Sequence, residues 1–165
     1  MFDRVSLGAG IRLGMPKSRP VSLLGRENTP GSTEIAPTSR REVAVVSERM
    51  INVNGVELCS ETFGAPTDPP ILLIMGIGAS MLWWDDRFCR QLADRGRFVI
   101  RYDHRDTGRS VTYEPGHPGY TGSDLIADAA GVLDAYGLSA ANVVGVSAGG
   151  AFAQVLALDV PERVL

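Results

Sequence analysis

The residues best suited to chemistry lie together at Gly145-Val146-Ser147-Ala148-Gly149, where a serine sits between two glycines. The apolar pair Val143-Val144 precedes it. Phe152, Val155, Leu156 and Asp159 follow at helical spacing as far as Pro161. Strand, sharp turn and helix are therefore the expected elements. A serine on such a turn is driven to a positive φ, and the strand and helix it joins pass so close that positions 145 and 149 tolerate little side chain. The turn lifts the hydroxyl above the strand end and aims a helix N-terminus at it, an arrangement suited to nucleophilic attack of a hydrolytic kind.

Other side chains with chemical potential read as structural. Asp103 and Asp106 are expected to bind loop backbone and Arg105, while Asp124, Asp128 and Asp134 read as solvated helix surface. Trp83 and Trp84 are expected to pack under a sheet rather than line a pocket. Cys59 and Cys89 fall in a strand and a helix without metal-ligand spacing or a disulfide framework, and read as buried free thiols.

Several elements must position the serine. Val43 to Val46, Ile51 to Val53 and Val56 to Cys59 read as strands, with Asn54-Gly55 as a hairpin turn. Ile71-Leu72-Leu73-Ile74-Met75 is apolar throughout, as a strand buried on both faces of a parallel sheet requires. A small-residue loop, Gly76 to Ser80, leads to a helix carrying Trp84, Phe88 and Leu92 and closed by Gly96. Phe98 to Tyr102 is a further strand, and Asp103 to Thr121 a long polar loop. The next helix carries Leu125, Ile126, Ala129, Val132, Leu133 and Tyr136 on one face, with Ser123 as N-cap and Gly137 as stop. Strands alternating with helices after an opening hairpin predict an α/β fold, with sites beyond the C-terminal ends of the strands.

Length and composition agree with one such domain. The chain has 165 residues and is 44% hydrophobic, enough for one real core and too short for two. No apolar run reaches membrane-spanning length and no secretory signal is legible, which predicts a cytoplasmic protein without a membrane partner. Residues 1–40 hold six basic and three acidic side chains, against ten basic and sixteen acidic in 41–165. An acidic body argues against a nucleic-acid partner. Residues 1–41, rich in Gly, Pro, Ser and Arg, read as a disordered extension, and 42–165 as the folded part.

The order of hairpin, apolar strand, Met75-Gly76-Ile77-Gly78-Ala79-Ser80 loop, tryptophan-bearing helix and glycine-flanked serine resembles the N-terminal half of an α/β-hydrolase, closest to the aclacinomycin methylesterase-like branch. The run Arg101 to Ser110 adds to the likeness. It matches the family's D-x-R-G-x-G-x-S loop at Asp103, Arg105, Gly108 and Ser110, with Asp106 where glycine is usual. The resemblance implies that Ser147 is the nucleophile on an ester carbonyl, and that the backbone N–H groups of Ala148 and Ile77 form an oxyanion hole. It implies a small-molecule carboxylic ester, perhaps a methyl ester in kind, as substrate and no cofactor or metal. Dehalogenases and most epoxide hydrolases of this fold carry aspartate at the Ser147 position, so ester hydrolysis leads; a cofactor-free perhydrolase or haloperoxidase shares the serine.

In this family the acid and the catalytic histidine follow the nucleophile, beyond Leu165. His104, within the matched run, and His117 read as structural rather than as substitutes. The resemblance therefore implies a truncated α/β-hydrolase sheet, ending just after the helix that follows Ser147 and inactive or impaired by itself. It also implies an exposed sheet edge that a partner chain could complete, which leaves a non-catalytic remnant or interaction module as the alternative.

Overall fold

The computed structural model describes residues 48–165. The extension over 1–41 and the strand expected at Val43 to Val46 lie outside the described residues. Five strands form one mixed sheet, β1 (Glu48–Val53), β2 (Val56–Phe63), β3 (Pro70–Ile74), β4 (Phe98–Tyr102) and β5 (Asn142–Gly145), in the order β1-β2-β4-β3-β5. β1 and β2 pair antiparallel around Asn54 (φ 50°) and Gly55 (φ 81°), the two left-handed residues of a tight hairpin turn. β2 runs antiparallel to β4, whereas β3 lies parallel to both β4 and β5.

The uninterrupted apolar run of β3 now has its reason, because both faces are covered. Leu72 and Ile74 join Leu58, Ile100 and Tyr102 on one side, beneath helices α2 (Gly122–Ala135) and α3 (Ala148–Asp159). Ile71, Leu73 and Met75 face the other way, against Phe63, Val99, Trp84 and Cys89 near helix α1 (Asp86–Ala93). Removing each fully buried Leu or Ile from water stabilises the fold by about 1.5–3 kcal/mol. Gly131 lets α2 approach the hairpin, since a methyl group there would lie 2.5 Å from a Val53 methyl.

Helix ends depart from the expectations in two places. α1 begins at Asp86, with Asp85 as N-cap accepting the Arg87 N–H at 2.8 Å. Trp84 therefore precedes the helix, and its four-residue spacing to Phe88 reflects a ring stack (5.8 Å, 21°) across the helix start. α2 is capped not by Ser123 but at Thr121, whose N–H and hydroxyl both donate to Asp124, at 2.7 and 2.8 Å. Those bonds hold the Asp124 carboxyl below the usual range. Gly137 stops the helix as expected, at φ 68°, with its N–H on Asp134 O and that of Leu138 on Leu133 O, a Schellman closure.

β5 borders the sheet among the described residues. Beyond it lies one parallel bridge, Ala141 to Val164, with Ala141 N–H on Arg163 O and Leu165 N–H on Ala141 O. Val144 and Val146 are exposed there. No helix among the described residues is long and apolar enough to cross a membrane.

Candidate active site at the turn after β5

Ser147 stands between β5 and α3 with φ 54° and ψ −123°, a conformation that costs a non-glycine residue about 1–3 kcal/mol. Neighbouring backbone enforces it. The Val146 N–H donates to Ile74 O (3.1 Å), and the Gly149 and Gly150 N–H groups bond to Val146 O and Ser147 O at 3.0 and 2.9 Å. A methyl group on Gly145 would overlap the Gly149 carbonyl, and one on Gly149 would overlap that of Ile74 and lie 2.6 Å from Met75 O. Both glycines are therefore fixed by close approach, as their spacing indicates.

The loop after β3 lies against the serine. A methyl group on Gly76 would sit 3.3 Å from Ser147 Cβ and 3.7 Å from its Oγ. The loop turns through Ala79 N–H to Gly76 O (3.2 Å) with Gly78 at φ 75°. Ile77 is exposed. Among the described residues the N–H groups of Ile77 and Ala148 donate to no acceptor, and the Ser147 hydroxyl has no hydrogen-bond partner. The Gly76 loop and Ser147 thus lie side by side at the end of the sheet, with two unbonded amides and an unbonded hydroxyl among their atoms.

Neither histidine bonds to the hydroxyl. His104 is buried, with Nε2 on Met75 O at 3.0 Å, and burial holds its pKa below the usual imidazole value against that bond and the charges of Asp128 and Asp103. His117 is exposed, bridged to Glu114 on the long loop. No group of His, Cys, Asp and Glu that could hold a metal occurs among the described residues.

The loop from Asp103 to Ser110 supports the site from below, and most of it is buried. Asp103 accepts the Met81 N–H (2.7 Å) and the Arg109 N–H (3.2 Å); Gly108 must be glycine, since any Cβ there would overlap the Asp103 carboxylate. Ser110 accepts the Cys59 N–H at 2.9 Å and donates to Asp103 O at 2.7 Å. Asp106 adopts φ 62°, which explains why glycine suits that position. Here the carboxylate offsets the strain by accepting from Tyr113 N–H (2.6 Å) and Tyr120 Oη (2.8 Å).

Three expectations need correction. Asp128 is not solvated but fully buried, gripping Arg105 at 2.7 and 2.9 Å and accepting from Asn54 Nδ2 at 2.9 Å. Arg105 accordingly pairs with Asp128, not with Asp103 or Asp106. Of the two tryptophans only Trp84 packs beneath the sheet; Trp83 is 76% exposed. Sequence reasoning also missed Arg101, buried in β4, which bonds to Glu61, Asp86 and Trp84 O and so ties the start of α1 to the sheet.

Residues 69–165 match a family model described as the alpha/beta hydrolase fold. The chain is 51% identical over 117 residues to rhodomycin D methylesterase DauP of Streptomyces sp. (strain C5), covering 71% of this chain and 39% of that one. It is 50% identical, with the same coverage, to rhodomycin D methylesterase DnrP of Streptomyces peucetius. The crystal structure of epoxide hydrolase A from Mycobacterium thermoresistibile superposes with a TM-score of 0.66 at 31% identity, covering 73% of this chain and 37% of that one. This chain thus spans about two-fifths of the length of the relatives it matches.

Proposed function

Since this chain belongs to the α/β-hydrolase fold family, we propose that it carries the nucleophile and oxyanion hole of a serine hydrolase acting on a carboxylic ester, of which a methyl ester is the favoured kind. The observation that carries the reading is Ser147 at φ 54° beside the Gly76 loop, with its own hydroxyl and the N–H groups of Ala148 and Ile77 left without partners among the described residues. Ser147 Oγ attacks the ester carbonyl, the oxygen of the tetrahedral intermediate accepts from the two amides, the alcohol leaves with the proton the serine gave up, and water then releases the acid from the acyl-serine. Each such amide lowers the barrier by on the order of 3 kcal/mol. A serine that opened an epoxide would be left as an ether that water does not cleave, whereas an acyl-serine is a hydrolysable ester, which favours acyl transfer over epoxide opening. The two methylesterase relatives support the ester, and their names favour the methyl ester.

No imidazole among the described residues reaches Ser147, so this 165-residue chain alone is proposed to be sluggish. A base and its orienting acid would come from further sequence or a second molecule. The test is a fluorophosphonate probe read by intact mass, beside Ser147→Ala. Labelling confined to the wild-type serine supports an activated nucleophile; labelling that persists in Ser147→Ala refutes its assignment.

A second reading rests on the β5 edge, where exposed Val144 and Val146 flank backbone that is unpaired beyond the Ala141–Val164 bridge. Here the chain is a module completed by another strand, in line with the alternative of an interaction role. A monodisperse, unreactive monomer by light scattering would argue against completion by a second copy.

A further inference from the structure

Met75 is the last residue before the Gly76-Ile77 loop, and its carbonyl has run out of sheet. Ile74 O still accepts from Val146 N–H on the β5 side. Successive strand residues address opposite neighbours, so Met75 O is directed to the β4 side. There the recorded pairing ends at Leu73 with Arg101, and β4 itself stops at Tyr102. His104 occupies the next place: its Nε2 lies 3.0 Å from Met75 O and continues the ladder with a side chain. A carbonyl oxygen only accepts, so Nε2 carries the proton and Nδ1 is bare. Nδ1 has no partner among the described residues, consistent with a neutral ring.

The same ring touches the other half of the site. It meets Tyr102 edge-on (5.1 Å, 73°) and Phe152 of α3 edge-on (5.8 Å, 84°), and is 2% exposed. One immobile imidazole therefore contacts both the backbone entering the loop and the helix leaving the serine.

We propose that His104 is a positioning residue whose Nε2–H grips the Met75 carbonyl and thereby aims the Ile77 N–H at the point above Ser147. The peptide planes explain how. Holding Met75 C=O fixes the whole Met75–Gly76 peptide, and only the φ and ψ of Gly76 separate it from the plane carrying the Ile77 N–H. Gly76 is the residue type least able to hold those angles by itself. Gly76 O belongs to the same peptide as the Ile77 N–H and accepts from Ala79 N–H, which ties that plane to the loop ahead, and His104 ties it to the strand behind. This inference rests on Ile77 as an oxyanion donor.

The test compares His104→Gln, whose amide N–H reaches about as far as Nε2, with His104→Leu, which has no donor. Two readouts are taken on the 165-residue chain: the NMR signals of the imidazole and the Ile77 amide, and the rate of fluorophosphonate labelling. The expected result is an Nε2-protonated neutral ring, an Ile77 amide displaced or broadened in His104→Leu while the Asn54-Gly55 hairpin stays native, and restoration in His104→Gln. Labelling should fall roughly tenfold in the leucine variant and stay within about twofold in the glutamine variant. An Ile77 signal unmoved in His104→Leu overturns the proposal, as does a folded His104→Gln that fails to restore it. If His104→Leu does not fold, His104→Gln decides by whether Ile77 keeps its native signal. Labelling that persists in Ser147→Ala speaks against the ester-hydrolase reading, while the Ile77 signal still decides the role of His104.

Discussion

Gly149 and Gly150 are neighbours in the first turn of α3, yet alanine should have opposite effects at the two. A methyl group at Gly149 would overlap Ile74 O and lie 2.6 Å from Met75 O and 2.8 Å from Ile74 C, all backbone at the buried end of β3. None of these atoms is the far end of a flexible side chain. Relief requires α3 or the end of β3 to move, and overpacking of this kind costs about 1–3 kcal/mol, here toward the upper end. Alanine returns about 1 kcal/mol of helix propensity, leaving a net loss on the order of 2 kcal/mol for Gly149→Ala. At Gly150 the nearest atom is Gly145 O at 3.4 Å, an ordinary contact. Gly150→Ala should then be neutral or stabilise by about 0.5–1 kcal/mol. Urea unfolding followed by far-UV circular dichroism measures both. Equal midpoints for the two variants, or a Gly149→Ala protein as stable as wild type, would refute the claim that close approach rather than local conformation fixes Gly149.

Ser147→Gly should raise stability by about 1 kcal/mol while abolishing probe labelling, because glycine adopts φ 54° without strain; an unchanged or lowered midpoint would contradict this. Asp128→Ala strands Arg105 in a buried site and should cost about 3–5 kcal/mol by the same unfolding assay, whereas Asp134→Ala, on the exposed face, should cost under about 1. Burial pushes the Cys59 thiol to about 12 and that of Cys89 to about 11, so both should resist a disulfide reagent at pH 8 and react only in urea. Because both folded values lie above the ordinary thiol value of 9.0, their contribution is intact at neutral pH and is lost progressively as pH climbs from about 9 toward about 11 to 12; a lower unfolding midpoint at pH 11 than at pH 8 tests the sign.

Local signals carried much of this architecture. Asn54-Gly55 fixed the hairpin, the apolar run through Ile74 marked the strand covered on both faces, and Gly137 marked the end of α2, because each depends on neighbours in sequence. Partners remote in sequence were harder to read. Asp128 falls three residues after Leu125 and four before Val132, inside the apolar stripe of α2, and that placement was the available sign of burial. Its partner, Arg105, sits in a loop whose course no periodicity reveals. Trp84, Phe88 and Leu92 keep helical spacing, but Asp85 caps α1 just after Trp84, so the spacing reported a stack at the helix start. The backbone of Ser147 was legible because glycine on either side leaves few alternatives. The place of His104 in the site was not, because it depends on where β4 ends relative to Met75.

The wiring of the sheet also sets an order of events. β1 and β2 meet across the two residues of a turn, but β5 reaches β3, Asn142 opposite Ile71, only after α1, β4 and α2 have been bridged. Closing so long a loop carries a larger entropic cost, and contacts of that range tend to form late. The strained serine therefore depends on the longest-range pairing in the sheet. In a chain with its hairpin made and β5 undocked, nothing would hold Ser147 at φ 54°, so the strained turn depends on the docking of β5 against β3.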